Sequence, residues 1–209
     1  MISRKPDKQL DKQLEKQLDK QLDKQLEKKL EKELEKQWFV MRDLKRSNAK
    51  QPAYKLLEEK QIEVFTPMKW RLVVKQGKKV REEIPFIQDL LFVYDTRKNL
   101  DVIVEETPTL QYRYFRGGGY CEPMVVNAAE MQRFMDAVHS AETPCYYSPE
   151  EITPKMYGHK VRIIGGPLNG YEGSLLATRG SKIKRLLIGL QQMLFVSIEI
   201  NPEYIELLR

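Results

Sequence analysis

The segment Gly158–Ala177, Gly-His-Lys-Val-Arg-Ile-Ile-Gly-Gly-Pro-Leu-Asn-Gly-Tyr-Glu-Gly-Ser-Leu-Leu-Ala, leaves the backbone few options. Val161, Ile163 and Ile164 form a short β-prone run, and Gly165-Gly166-Pro167 ends it. Asn169-Gly170 is a strong turn signal, and Glu172 starts a second strand. Tight reversals need positive φ, which glycine adopts without a Cβ penalty. Gly170 and Gly173 stand where such an arc is expected to need it. The segment reads as two short strands joined by a tight arc, with a generic Gly-rich β-turn as the plainer alternative.

The chain before this segment has a different texture. Trp38-Phe-Val-Met41 reads as a strand. Ala53, Leu56 and Leu57 give a helical face, with Pro52 suited to the first turn. Ile62 to Phe65 alternates as a strand and is ended by Pro67. Trp70–Val74 and Lys79–Ile84 flank Gln76-Gly77, a hairpin signal. Leu90-Leu-Phe-Val-Tyr94 is a continuous apolar run suited to a central buried strand. Leu100, Ile103 and Val104 predict a helix, Leu110 to Phe115 a strand, Gly117-Gly118-Gly119 a loop and Met124–Val126 an edge strand. Asn127 is placed to cap a helix whose apolar face is Met131, Phe134, Met135 and Val138, with Glu130 completing a capping box.

From Ser140 to Met156, Pro144, Pro149 and Pro154 lie among Ser, Thr and Glu, which reads as a linker. Only β signals follow. The expected division is therefore 1–37, 38–139, a linker at 140–156, and 157–209. The two globular pieces each have their own apolar pattern and are expected to fold independently.

Residues 7–38 are a low-complexity array in which leucine recurs every fourth position from Leu10 to Leu34. A coiled-coil seam needs a mean apolar spacing of about 3.5 residues. A strict spacing of four advances the stripe by roughly 40° per repeat, so no fixed face forms. Acids also fall on acids and lysines on lysines at i,i+4, and these pairs repel. Leu, Lys, Gln and Glu are nevertheless good helix formers. The array reads as a marginal, solvated helix or a disordered tail.

Net charge is +6 with a pI near 9.1, from 36 basic and 30 acidic side chains. This is a mixed surface that tolerates a polyanionic partner without requiring one. Cys121 and Cys145 have no CxxC spacing, which fits a reducing cytoplasm rather than a disulfide framework. No apolar run approaches the length of a membrane span, so no membrane attachment is expected. His139 and His159 make no zinc spacing with the cysteines, so no metal is expected. Gly117-Gly-Gly-Tyr120 lacks the Lys-Ser/Thr of a phosphate loop, and no nucleophile signature surrounds Cys145. No cofactor and no catalytic residue are expected, and the chain does not read as an enzyme.

Several blocks together carry a resemblance. Trp38-Phe-Val-Met-Arg42, a helix, Glu63-Val-Phe-Thr-Pro-Met68, Pro85, Leu91-Phe-Val93 and Glu122-Pro-Met-Val-Val126 with Met131 and Phe134 resemble the NGN domain of NusG-type factors. The Gly158–Ala177 segment resembles the KOW motif that follows NGN in that family. Phe65-Thr-Pro-Met68, Asp89-Leu-Leu-Phe-Val93 and Val161-Arg-Ile-Ile-Gly-Gly-Pro167 are most similar to UpxY-type specialised paralogues, regulators of bacterial capsular-polysaccharide operons. The resemblance covers residues 38–209. It implies an α+β chain: an NGN domain with an antiparallel sheet flanked by helices, then a small SH3-like β-barrel.

The resemblance also implies a monomeric antitermination factor whose NGN domain docks on RNA polymerase near upstream DNA. By position, the contacts fall on Phe39, Arg42, Ile87, Leu90, Phe92, Tyr112 and Tyr114. Ile87-Gln88-Asp89-Leu90 departs from the aromatic and Pro-Gly-Tyr usual in the family. Phe65, Phe92 and Val93 read as core packing ahead of contact, whereas Ile87, Tyr112 and Tyr114 are expected to be exposed anchors. Two basic groups read either as phosphate contacts or as solvated charge: Lys75, Lys78, Lys79 and Arg81 on the hairpin, and Arg179, Lys182, Lys184 and Arg185 in the KOW segment. Nascent RNA or non-template DNA is the nucleic acid implied. The alternatives are a general NusG-like factor coupling to Rho or a ribosomal protein through KOW, and an RNA- or ribosome-binding module.

Overall fold

A computed structural model describes residues 35–44, 51–115, 122–177 and 183–208. The tetrad array up to Leu34, the Gly117–Gly119 loop, Arg179 and Lys182 lie outside the described residues.

The first unit runs β1 (Gln37–Asp43), α1 (Ala53–Glu59), β2 (Glu63–Phe65), β3 (Met68–Lys75), β4 (Lys78–Pro85), β5 (Leu90–Asp95), α2 (Arg97–Glu106), β6 (Leu110–Tyr112), β7 (Val125–Val126) and α3 (Ala128–Ser140). Its main sheet is antiparallel in the order β2-β5-β1-β6, with β7 also on β1, and β3 and β4 form a separate ribbon. The apolar run Leu90–Tyr94 thus sits centrally, between β2 and β1. The strand expected over Leu110–Phe115 stops at Tyr112 and continues only as a single bridge from Tyr114 to Pro123.

Local chemistry fixes the ends. The Asp43 carboxylate accepts a 2.7 Å hydrogen bond from the Ala53 N–H at the start of α1. Asn127 Oδ1 accepts from the Ala129 and Glu130 N–H groups at 2.9 and 3.4 Å, satisfying donors at the start of α3. Gln76 and Gly77 both take positive φ, 52° and 75°, as the tight turn between β3 and β4 requires.

Successive strand residues point to opposite faces, and the two faces of the sheet bury different layers. Phe39, Met41, Leu91 and Val93 pack with Ala53 and Leu57 of α1 and Leu100 and Ile103 of α2. Trp38, Val40, Leu90 and Phe92 share the other cluster with Met131, Phe134 and Met135 of α3.

The second unit contains β8 (Cys145–Tyr147), β9 (Tyr157–Ile163), β10 (Glu172–Leu176), β11 (Lys184–Leu190), β12 (Leu194–Ile200) and β13 (Ile205–Leu207), antiparallel in the order β13-β9-β10-β11-β12-β8. The proline-rich stretch read as a linker supplies β8, whose Tyr146 pairs with Val196. Pro149 and Pro154 open single 3₁₀ turns, where a missing N–H costs nothing. Gly170 has φ 83°, as its turn position requires. Gly173 does not take positive φ. Its glycine answers to crowding instead, since a Cβ there would sit 2.8 Å from Leu186 Cδ1 and 3.1 Å from the Leu187 carbonyl oxygen.

Where independent apolar patterns were expected, the two units share one core. Helix α3 packs against β11 and β12, and its buried Met131, Phe134 and Ala137 join one cluster with Val161, Leu186 and Val196. The Phe86 and Tyr146 rings meet across the two units in a tilted contact, with centroids 5.5 Å apart. A helix flanked on both sides buries more than the single stripe read from its sequence.

Candidate functional site

The register of β1 brings together residues far apart in the chain. Arg42 pairs with Leu90 of β5 and with Gln111 of β6, so Asp89 and Arg113 flank it. Arg42 Nε and Nη2 donate to Asp89 Oδ2 at 3.1 and 3.0 Å, and Arg113 Nη2 donates to the same oxygen at 3.3 Å. One carboxylate therefore orients two guanidinium groups, and the cluster keeps one positive charge. Arg113 Nε is buried without a hydrogen-bond partner among the described residues. Arg42 and Arg113 share an open cleft with Gln111, Tyr112, Tyr114, Phe115 and Met124 at the β6 edge.

Two tyrosines in this cleft differ in kind. Tyr112 is 7% exposed, and its hydroxyl donates to Asp101 Oδ1 at 2.9 Å. Burial, reinforced by that bond to Asp101, holds the Tyr112 hydroxyl well above the ordinary tyrosine range. Its ring meets Phe39 edge-on at 5.7 Å and Tyr114 at 6.4 Å. Tyr114 and Phe115, by contrast, are 49% and 51% exposed. Tyr112 is a buttress for Tyr114, and its expected exposure is corrected: the Asp101 bond turns it into the core.

The remaining expected contacts divide the same way. Phe39, Leu90 and Phe92 are buried, and Ile87 is partly buried against the cluster that spans both units. None of these four lines the cleft, whereas Arg42, Tyr112 and Tyr114 do. Sequence reading missed Asp89, Arg113 and Phe115 as members of the site. Strand register alone joins Asp89 and Arg113 to Arg42, and no spacing in the chain signals it.

The basic residues of the hairpin lie where expected. Lys75 and Lys78 face each other beside the turn, and Lys75 pairs with Glu82 at 3.0 Å. Lys79 is exposed on β4, and the Arg81 guanidinium lies 4.7 Å from the Trp70 ring centroid. In the second unit, Arg185 is committed to the Ser197 side chain and the Thr143 carbonyl rather than to solvent. Among the described residues no cluster of His, Cys, Asp and Glu has the makings of a metal site, and no helix is long and apolar enough to cross a membrane.

Residues 36–135, from β1 into α3, match the family model for NusG, described as transcription termination factor nusG, over just under half of the chain. This segment is thus similar to a NusG-family domain, the domain of a transcription factor. A solved structure described as domain interaction in Thermotoga maritima NusG is also similar, with 15% identity, coverage of 85% of this chain and 99% of that chain, and a TM-score of 0.43. No curated protein matches the chain.

Proposed function

We propose that the chain is a transcription elongation factor of the antitermination type that docks on RNA polymerase through its first unit. The NusG-family match of residues 36–135 supports this reading. The observation that carries it to particular residues is the cleft in which Asp89 orients Arg42 and Arg113 beside exposed Tyr114 and Phe115. Exposed aromatics and arginines dominate protein interfaces because they combine large contact area with directed hydrogen bonds.

In this reading residues 38–139 are the NGN domain and 157–209 a KOW domain, joined through 140–156. The protein works as a monomer, specialised for polysaccharide-biosynthesis operons. Polymerase pulldown followed by nascent-transcript sequencing in a deletion strain tests it. Loss of read-through confined to one operon is expected. A change spread over all transcription units would point to a general factor acting through Rho or the ribosome, and no association with polymerase would overturn the reading.

A further inference from the structure

The β3–β4 ribbon stands outside both larger sheets, as two strands alone. Its register sets Trp70 opposite Glu83, Leu72 opposite Arg81 and Val74 opposite Lys79. Directly opposed residues of an antiparallel pair share a face. One face therefore presents Trp70, Leu72 and Val74, which are 57%, 70% and 69% exposed, with Glu83, Arg81 and Lys79 beside them. A two-stranded ribbon is marginal in water unless another layer covers its apolar face. Among the described residues none covers Leu72 or Val74.

The charges on the two faces select the cover. The opposite face carries Lys69, Arg71, Lys75 and Lys78 against Glu82, so two copies of the chain would repel each other there. The apolar face is self-complementary. Let a second ribbon be laid on it face to face with its strands reversed, the two-fold axis passing beside Leu72. Leu72 then meets the second copy's Leu72, Trp70 meets the second copy's Val74, and Glu83 meets the second copy's Lys79. Lys79 and Glu83 are both exposed, and neither makes an ion pair among the described residues. Each Arg81 guanidinium lies 4.7 Å from the ring centroid of its own Trp70. The two Arg81 side chains thus lean toward opposite ends of the pair and diverge from the axis. At the base of the ribbon an open groove of about 930 Å³, bounded by Tyr54, Glu58, Met68 and Trp70, leaves room for the second copy's Gln76–Gly77 turn.

We propose that two copies of this chain associate through this face, apolar row against apolar row, in a two-fold dimer. Strands of 8 residues give a face roughly 27 Å long. Two such faces bury on the order of 1,000 Å², the lower end for a specific contact, which suits a reversible dimer of roughly micromolar affinity. An unrelated apolar partner would leave Lys79 and Glu83 unmatched, whereas a second copy matches both. The inference goes beyond polymerase docking and shares no residue with the Arg42 cleft. The monomer that docks is the dissociated form.

Analytical ultracentrifugation of the full chain from about 1 to 100 µM tests the proposal. A reversible monomer–dimer equilibrium is expected. The chain has 2 tryptophans and Trp38 is only 4% exposed, so a blue shift of emission as the dimer forms reports on Trp70. Leu72→Glu, at an exposed position, should keep its circular dichroism and stay monomeric throughout. Lys79→Glu and Glu83→Lys should each weaken the dimer about tenfold or more, because each sets like charges against one another. Mixing these two single variants should restore wild-type association, since each then offers the charge the other needs. A chain that is monomeric at about 100 µM overturns the proposal. So does a dimer that Leu72→Glu leaves intact, which would place the contact elsewhere, for instance in the tetrad array. So does a mixture that associates as weakly as its components. No polymerase is present in this assay, so its outcome is separate from that of polymerase docking.

Discussion

The Tyr171 hydroxyl donates a 2.6 Å hydrogen bond to Asp136 Oδ2, tying the turn before β10 to helix α3 of the first unit. It is a polar contact at the edge of the apolar cluster that runs through both units. Burial, together with the bond to Asp136, pushes the Tyr171 hydroxyl up to about 12 from its ordinary value of 10.0. A group whose pKa is raised on folding stabilises the fold fully below its unfolded pKa. That contribution is lost as pH rises through the folded value.

Tyr171→Phe is therefore expected to lower stability by about 1 kcal/mol at neutral pH, a shift of about 2–4 °C in melting temperature. The difference between wild type and variant should shrink between pH 10 and about 12, the interval spanned by the shift. Hydrogen exchange along α3 should quicken in the variant. A difference independent of pH across that interval would show that the hydroxyl does not hold the two units together.

Tyr112 and Tyr114 are separable by stability alone. Tyr112→Ala removes a buried ring and leaves Asp101 without its donor, and is expected to cost about 3–5 kcal/mol. Tyr114→Ala, at a position 49% exposed, should change stability by no more than about 0.5 kcal/mol. Urea titrations of the two variants check this. Equal destabilisation would place Tyr114 in the core as well.

Gly173→Ala is expected to destabilise the second unit by about 1–3 kcal/mol, because the added methyl meets Leu186 Cδ1 at 2.8 Å and the Leu187 carbonyl oxygen at 3.1 Å. Neither neighbour can retreat easily, since Leu186 is fully buried and the oxygen belongs to a paired strand. Thermal melts of the variant give the cost. A neutral substitution would mean that β10 and β11 separate more readily than their packing implies.

Much of the fold was legible because its signals are local. The Leu90–Tyr94 run, the Gln76-Gly77 turn and the Asn127 cap each act within a few residues, and each lies where the sequence placed it. The site was less legible because it is built by register. Nothing in the chain near Asp89 indicates that one of its oxygens serves Arg42 and Arg113, which lie 47 and 24 residues away. Tyr112 and Tyr114 have similar local chemistry, and what separates buttress from surface is distant in sequence: Phe39 against the Tyr112 ring, and the Asp101 carboxylate, 11 residues away, on its hydroxyl. The β8 strand was hidden for a similar reason: prolines at 144 and 149 bracket it, and its pairing partner Phe195–Ser197 lies about fifty residues on.

Affinity of the purified full chain for RNA polymerase, compared with that of the Arg42→Ala, Tyr114→Ala double variant, tests the docking surface most directly. Both side chains are about half exposed and neither belongs to the core, so the variant is expected to fold normally. Loss of two anchors of this kind typically costs 2 kcal/mol or more, about thirtyfold in affinity. Weakening of that size with an unchanged melting temperature is the expected result. Wild-type affinity in a folded double variant would contradict docking through the Arg42–Tyr114 cleft.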